Sequence, residues 1–146
     1  MAYFVFIKNA DNLDSSIYKI AENQFDLDNL NIIKSDYKII EDSQENFNAV
    51  KFGTKHLKYN GDVISFNSAQ CSYNKGELQV NVNSYKNLIK QFTNNNPNHP
   101  LFSRWNDYYN QLNNLNLDNI TYPLNKSLEQ HFNDLGQPSY NILQLP

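Results

Sequence analysis

The side chains best suited to covalent or metal chemistry are one thiol and three imidazoles, and they are spread widely along the chain. Nucleophilic catalysis needs a nucleophile with a base held beside it. Cys71 lies in a polar stretch, and the histidines come from separate segments, at His56, His99 and His131. They show neither His-x₃-His spacing nor a His-Glu-x-x-His motif. We therefore predict no nucleophilic site and no metal site, and we interpret Cys71 as an ordinary free thiol.

Neighbouring carboxylates are the remaining candidates for acid–base chemistry. The closest pairs are Asp26 with Asp28 and Glu41 with Asp42. The second pair directly precedes Ser43, and both anions and serine are favoured at a helix N-terminus, so a structural role explains it better. The 4 glycines are isolated and cannot form a phosphate-binding loop. We predict a protein that is not an enzyme and uses no cofactor.

Three aromatic residues could stack against a sugar ring, namely Trp105, Tyr108 and Tyr109. Their i, i+3, i+4 spacing also places them on one side of a helix that faces a core. We favour the core, and we keep a small carbohydrate-binding module as an alternative function. The neighbouring Arg104 is the only arginine of the chain, and we interpret it as an ion-pair anchor.

The charge distribution restricts the class of partner. The 146 residues carry a net charge of −3, and residues 1–69 hold 7 Lys against 10 Asp and Glu. Residues 70–146 are neutral, so neither half offers the basic surface that nucleic acid or an anionic membrane requires. No run approaches the roughly 18 apolar residues of a membrane span. Because residues 1–8 lack a basic region and a cleavage site, we also expect no signal peptide.

The first half is predicted to consist mainly of strands. Aromatic and β-branched runs indicate three of them, with the first two paired as a hairpin. These runs are 3–8, 17–21 and 37–41. A short helix is predicted between Ser43 as its N-cap and Gly53 as the glycine that follows its end. Asn60-Gly61, flanked by alternating residues, predicts a further hairpin over 56–66 with a type I′ turn.

The second half is predicted to be helical, because apolar residues recur there with a period near 3.6. The first amphipathic segment begins near Val82. A second follows Pro100, and a third is predicted to be capped by Asn125 and ended by Gly136. The apolar residues of the three segments are Val82, Tyr85, Leu88, Ile89 and Phe92, then Phe102, Trp105, Tyr108, Tyr109, Leu112 and Leu115, and finally Leu128, Phe132 and Leu135.

Together these patterns predict an α+β fold, with a strand-rich N-terminal half and a helical C-terminal half. The character of the sequence changes over 67–76. We therefore predict a β-rich module over 1–69, a helical module over 77–136 and an extended C-terminal arm over 137–146. Each module is small for independent stability, so a single core shared by both is an equal alternative.

The C-terminal arm is the candidate binding element. Its apolar residues are Tyr140, Ile142, Leu143 and Leu145. A segment this apolar needs to be covered by other protein surface. We expect the arm either to dock on its own domain or to lie on a neighbouring subunit. In the second case these four residues are the partner-binding site.

Part of the first half resembles a unit found in tail-fibre proteins and tail-fibre assembly chaperones of tailed phages. That unit is a strand ending in an acidic-Ser cap, a short helix and a hairpin, and it corresponds here to 37–66. The matching segments are Lys38-Ile39-Ile40-Glu41-Asp42-Ser43, Gln44 to Gly53, and Leu57-Lys58-Tyr59-Asn60-Gly61-Asp62-Val63-Ile64. The second half, with Tyr122-Pro123-Leu124-Asn125 and a Leu-Gln-Leu-Pro ending, resembles small virion proteins of marine phages. Such phages have AT-rich genomes, which fits 26 Asn, 11 Lys and a single Arg.

The resemblance implies a non-enzymatic structural protein of a phage virion, in the tail or the host-attachment apparatus. Its partners would be other virion proteins, including copies of itself, within an oligomer or complex. A soluble tail-fibre assembly chaperone or partner-binding inhibitor is the alternative. No catalytic residue is implied by the resemblance.

Overall fold

The computed structural model describes residues 1–8, 15–60, 63–68 and 71–146, with backbone alone at 15–16, 58–60 and 63–68. The chain divides into two compact units, Met1–Ala69 together with Pro146, and Gln70–Leu145. The first contains the strands and the second contains the longer helices. This is the predicted α+β class, with strands in the first half and helices in the second.

A three-stranded antiparallel sheet forms the centre of the first unit. Its strands are β1 (Ala2–Ile7), β3 (Lys19–Ala21) and β4 (Tyr37–Asp42), in the order β3-β1-β4. Phe4 of the central strand is fully buried and lies opposite Ile20 on one side and Ile40 on the other. The predicted antiparallel pairing of the first strand with 17–21 is confirmed over Lys19–Ala21.

Two short helices of the first unit begin at side-chain caps. The first, α1 (Gln24–Asp28), is capped by Asn23, and the second, α2 (Gln44–Lys51), is capped by Ser43 as predicted. The Ser43 hydroxyl accepts a hydrogen bond from the Asn46 amide at 3.2 Å. Gly53 follows the end of α2 at φ 75°, the left-handed conformation that glycine adopts without strain, so this prediction is also confirmed.

A second antiparallel sheet joins β2 (Ser15–Ser16), β5 (Lys55–Asn60) and β6 (Val63–Ser68), in the order β2-β5-β6. The pairing of β5 with β6 confirms the predicted hairpin, and its register ends with Asn60 opposite Val63. Residues 61–62 lie outside the described part of the chain, and the predicted type I′ turn lies there with them.

The second unit contains α3 (Lys75–Asn95), α4 (Phe102–Asn113) and α5 (Leu128–Asp134). The helix predicted from Val82 begins seven residues earlier, at Lys75. Asn74 and Glu77 form a reciprocal capping box at this end: each side chain accepts a hydrogen bond from the other residue's backbone N–H.

The cap predicted for the third helix is wrong. Ser127 is the N-cap of α5, and its hydroxyl accepts from the Gln130 amide at 3.1 Å, whereas Asn125 lies two residues upstream and is exposed. The predicted end is confirmed, because Gly136 follows α5 at φ 70°. The C-terminal arm is extended on either side of one 3₁₀ turn, Ile142–Gln144.

The core of the second unit is built from all three helices and the segments that connect them. Its buried apolar residues are Leu78, Val82, Ile89, Phe92, Leu101, Trp105, Tyr108, Leu112, Leu117, Leu124, Leu128, Phe132 and Leu145. Within the part of the chain that is described, no helix has both the length and the apolar character that a bilayer crossing requires.

Candidate functional site

The C-terminal arm leaves α5 through a sharp change of direction at Gly136. This glycine has a positive φ, and a Cβ added to it would meet no heavy atom within 4 Å. The Gln137 amide then donates to the Phe132 carbonyl at 3.0 Å. One residue further on, Nε2 of Gln111 on α4 donates to the Pro138 carbonyl at 2.8 Å. The start of the arm is thus held beside α4.

Tyr140 is the anchor of the arm, and three residues of α4 surround its ring. We call Arg104, Trp105 and Tyr108 the arm cradle. The Arg104 guanidinium lies 4.5 Å from the Tyr140 ring centroid. The Trp105 and Tyr108 ring centroids lie 5.6 and 5.3 Å away, the latter edge to face at 79°. Cation–π and edge-to-face contacts of this kind each stabilise by about 0.5–1.5 kcal/mol beyond area burial.

The rest of the arm packs on its own unit. Leu145 is buried in the core, and Tyr140 and Ile142 are half-buried and pack against that core; Leu143 is also half-buried. The arm also caps itself, since Asn141 Oδ1 accepts from the Leu143 amide at 2.8 Å. Of the two arrangements that the sequence left open, the structure shows docking on the arm's own unit. A role of these four residues in binding a partner stays a prediction.

The aromatic set proposed from spacing is part of the core. Trp105 and Tyr108 are fully buried, which confirms core packing over an exposed stacking platform. Tyr109 is half-buried, with the Lys90 ammonium 5.2 Å from its ring centroid. The first two rings are therefore not available to stack on a sugar at the surface of this unit.

A buried polar cluster adjoins the arm cradle and shares Tyr108 with it. Glu129 of α5 is only 4% exposed, and the Tyr85 phenol of α3 hydrogen-bonds to it. Burial and then the Glu129 charge raise the pKa of Tyr85 and of Tyr108. Burial and a hydrogen bond with Cys71 raise the pKa of Tyr73 to about 12. These phenols stay protonated at neutral pH, so Tyr85 can donate to the carboxylate.

This cluster was not predicted from the sequence, although one signal was present. Glu129 lies three residues before Phe132, so both lie on the same face of α5, and that face packs into the core. A buried carboxylate destabilises the fold unless it is hydrogen-bonded, and Tyr85 supplies such a hydrogen bond to Glu129. The cluster thereby links α5 to α3.

The residues first considered for chemistry do not assemble into a metal site. Among the described residues, no three His, Cys, Asp or Glu side chains lie close enough together to hold a metal ion. Cys71 is half-buried and forms part of the polar cluster through Tyr73. Arg104, predicted as an ion-pair anchor, stacks on Tyr140.

No protein-family model, curated protein or solved structure matches this chain. The resemblance of 37–66 to tail-fibre modules therefore stays a prediction.

Proposed function

We propose that the protein is a non-enzymatic assembly component whose C-terminal arm docks on the arm cradle of a neighbouring copy. The observation that carries this proposal is the way the arm is held. Tyr140 lies against the side chains of Arg104, Trp105 and Tyr108, at centroid distances of 4.5 to 5.6 Å. Because every copy has the same cradle, Tyr140 can make the same three contacts on a second copy.

The connection to α5 suits such an exchange. Gly136 lies in open space, and the residues on either side of the chain reversal, Leu135 and Gln137, are exposed. The backbone can therefore change direction at Gly136 without displacing a packed side chain. Because the exchanged contacts equal the original ones, domain swapping of this type is a low-cost route to oligomers.

The setting that we propose is the tail or host-attachment apparatus of a phage particle, as a structural protein of the virion. Support comes from the resemblance of 37–66 and of the segment with Leu-Gln-Leu-Pro, together with an amino-acid composition rich in residues that have AT-rich codons. Arm exchange between copies is a means of linking subunits in such an assembly.

Native mass spectrometry of the full chain tests the exchange. Unlabelled and ¹⁵N-labelled chains are unfolded, mixed, refolded together and measured over a range of concentrations. We expect mixed oligomers that contain both labels. Tyr140→Ala should abolish the mixed oligomers because it removes the anchor of the arm. Tyr109→Ala changes a residue of α4 that lies outside the cradle, and it should leave them unchanged. A chain that stays monomeric at all concentrations would contradict the proposal.

A further inference from the structure

A second feature of the helical unit points to a ligand. Next to the start of the C-terminal arm lies an open cleft of about 570 Å³, within the size range of ligand sites. Its apolar lining residues are Leu115, Ile120, Phe132, Leu135 and Pro138. Its amide-bearing lining residues are Gln111, Asn114, Asn116, Asn119 and Gln137. We call this the amide-rimmed cleft.

The cleft is uncharged at neutral pH. Among the described residues that line it, none is Asp, Glu, Lys or Arg, and the one titratable group is His131. Burial, and then the charge of Lys126, lower the pKa of His131, although Asp134 opposes the shift. The Lys126 ammonium and the Asp134 carboxylate pair with each other at 2.6 Å. An ionic ligand therefore finds no counter-charge in the cleft.

The polar groups of the lining suit a polypeptide main chain. Each Asn or Gln side chain offers both an N–H₂ donor and a carbonyl acceptor, the same two functions that each peptide unit presents. Five such side chains line the cleft. Three of them already form hydrogen bonds within the unit, since Gln111 Nε2 donates to Gln137 Oε1 at 3.4 Å and Asn116 Oδ1 accepts from the Asp118 amide at 3.0 Å. Gln111 already donates one hydrogen bond to the Pro138 carbonyl, so the lining shows this pairing with a main chain within the structure itself.

The apolar lining suits an aliphatic side chain better than a sugar. Leu135 is 56% exposed although it is a large apolar residue. The Phe132 ring in the lining is 1% exposed and offers no free face on which a sugar ring could stack. A ligand with an aliphatic group over Leu135 and uncharged amides at the edge would complement both parts of the cleft.

We propose that the amide-rimmed cleft binds an extended, uncharged peptide segment of a partner protein, with an aliphatic side chain against Leu135 and its main chain against the Asn and Gln side chains. The cleft contains none of the three cradle residues, although Gln137 and Pro138 of the arm line it. The two proposals are distinguished by their readouts, because oligomer formation tests arm exchange and peptide binding tests the cleft.

A displayed library of random short peptides, selected for binding to the immobilised full-length protein, tests this inference. The chain offers two matched variants, Leu135→Glu in the cleft and Leu88→Glu on the exposed side of α3. Both leucines are about half exposed, at 56% and 45%, so neither substitution disturbs the core. We expect enrichment of uncharged peptides that contain Leu or Ile. Their affinity should fall at least about tenfold with Leu135→Glu and stay unchanged with Leu88→Glu.

Three results would overturn the inference. One is the absence of any enrichment over background. Another is selection of mainly charged peptides, since the cleft has no group to pair with them. The third is equal binding to wild type and Leu135→Glu, which would place the contact elsewhere. A glycan array probed in parallel should stay blank, and glycan binding that is lost in Leu135→Glu would assign the cleft to sugars instead.

Discussion

Tyr85 and Tyr108 face the same buried carboxylate region, but their hydroxyls differ in what they contact. The Tyr85 phenol hydrogen-bonds to Glu129. The Tyr108 hydroxyl is buried and has no hydrogen-bond partner among the described residues. A buried hydroxyl without a partner destabilises a fold, whereas one that satisfies a buried charge stabilises it.

This difference predicts opposite outcomes for the same substitution. Tyr85→Phe should lower the free energy of unfolding by about 1–3 kcal/mol, because it leaves a buried carboxylate with one donor fewer. Tyr108→Phe keeps the ring contacts and removes only the unpaired hydroxyl, so we expect no loss of stability or a small gain. Urea denaturation of the two variants checks this. A larger loss for Tyr108→Phe than for Tyr85→Phe would contradict the hydrogen bond between Tyr85 and Glu129.

His131 predicts a pH dependence of stability. Its pKa in the folded protein is below the ordinary value of 6.5, so the unfolded chain binds more protons as the pH falls below 6.5. The contribution of His131 to the free energy of unfolding is therefore expected to be constant above pH 6.5. It should decline as the pH falls from 6.5 through the pKa of the folded state. Urea midpoints at about pH 7.5 and about pH 5.5 measure it. His131→Asn should show a smaller decline, and an identical decline in both proteins would exclude His131 as the cause.

At the scale of elements, periodicity predicted most of the fold, and the helix ends were the weakest part. Leu78 is the first buried apolar residue of α3, one turn before Val82, and the residues before it, Lys75, Gly76 and Glu77, give no apolar signal. The helix start at Lys75 depends on the reciprocal bonds of Asn74 and Glu77. For α5, Ser127 and Asn125 are both good capping residues, and only Ser127 has a glutamine three residues later, as a capping box requires.

The caps of α5 give a matched test. Ser127→Ala removes the acceptor for the Gln130 amide and should cost about 0.5–2 kcal/mol of stability. Asn125→Ala changes an exposed residue outside the helix and should alter stability by less than about 0.5 kcal/mol. Thermal unfolding followed by circular dichroism compares the two variants. The assignment of the cap is contradicted if Asn125→Ala is the more harmful change.

The candidate site was harder to predict because its contacts are not local. Tyr140 was identified in the sequence as part of an apolar arm, but its partners Arg104 and Trp105 lie on α4, and no short-range pattern links them to the arm. The amide-rimmed cleft is equally non-local, since it combines residues of α4, α5 and the segment between them. The amino-acid composition indicates many Asn side chains at the surface, but it does not indicate which of them lie together in the fold.

For the whole molecule, the proposed arm exchange requires that the C-terminal arm can dock on a second copy. One contact in the structure allows a direct trap. Gln111 and Pro138 lie within hydrogen-bonding distance, one on α4 and the other on the arm. A Cys71→Ser background removes the single native thiol. Gln111→Cys is then placed in one chain and Pro138→Cys in a second chain that carries a different tag.

The two chains are refolded together and treated with a short crosslinker that joins two thiols, because a hydrogen bond from a long side chain to a main-chain carbonyl does not set the Cβ separation that a disulfide needs. A chain with both substitutions should form the internal crosslink and so calibrate its reach, and Asn87→Cys on the exposed side of α3 replaces Gln111→Cys as the control. We expect a crosslinked dimer that carries both tags and is absent with the Asn87→Cys control. An internal crosslink in the double variant without any mixed dimer would contradict arm exchange.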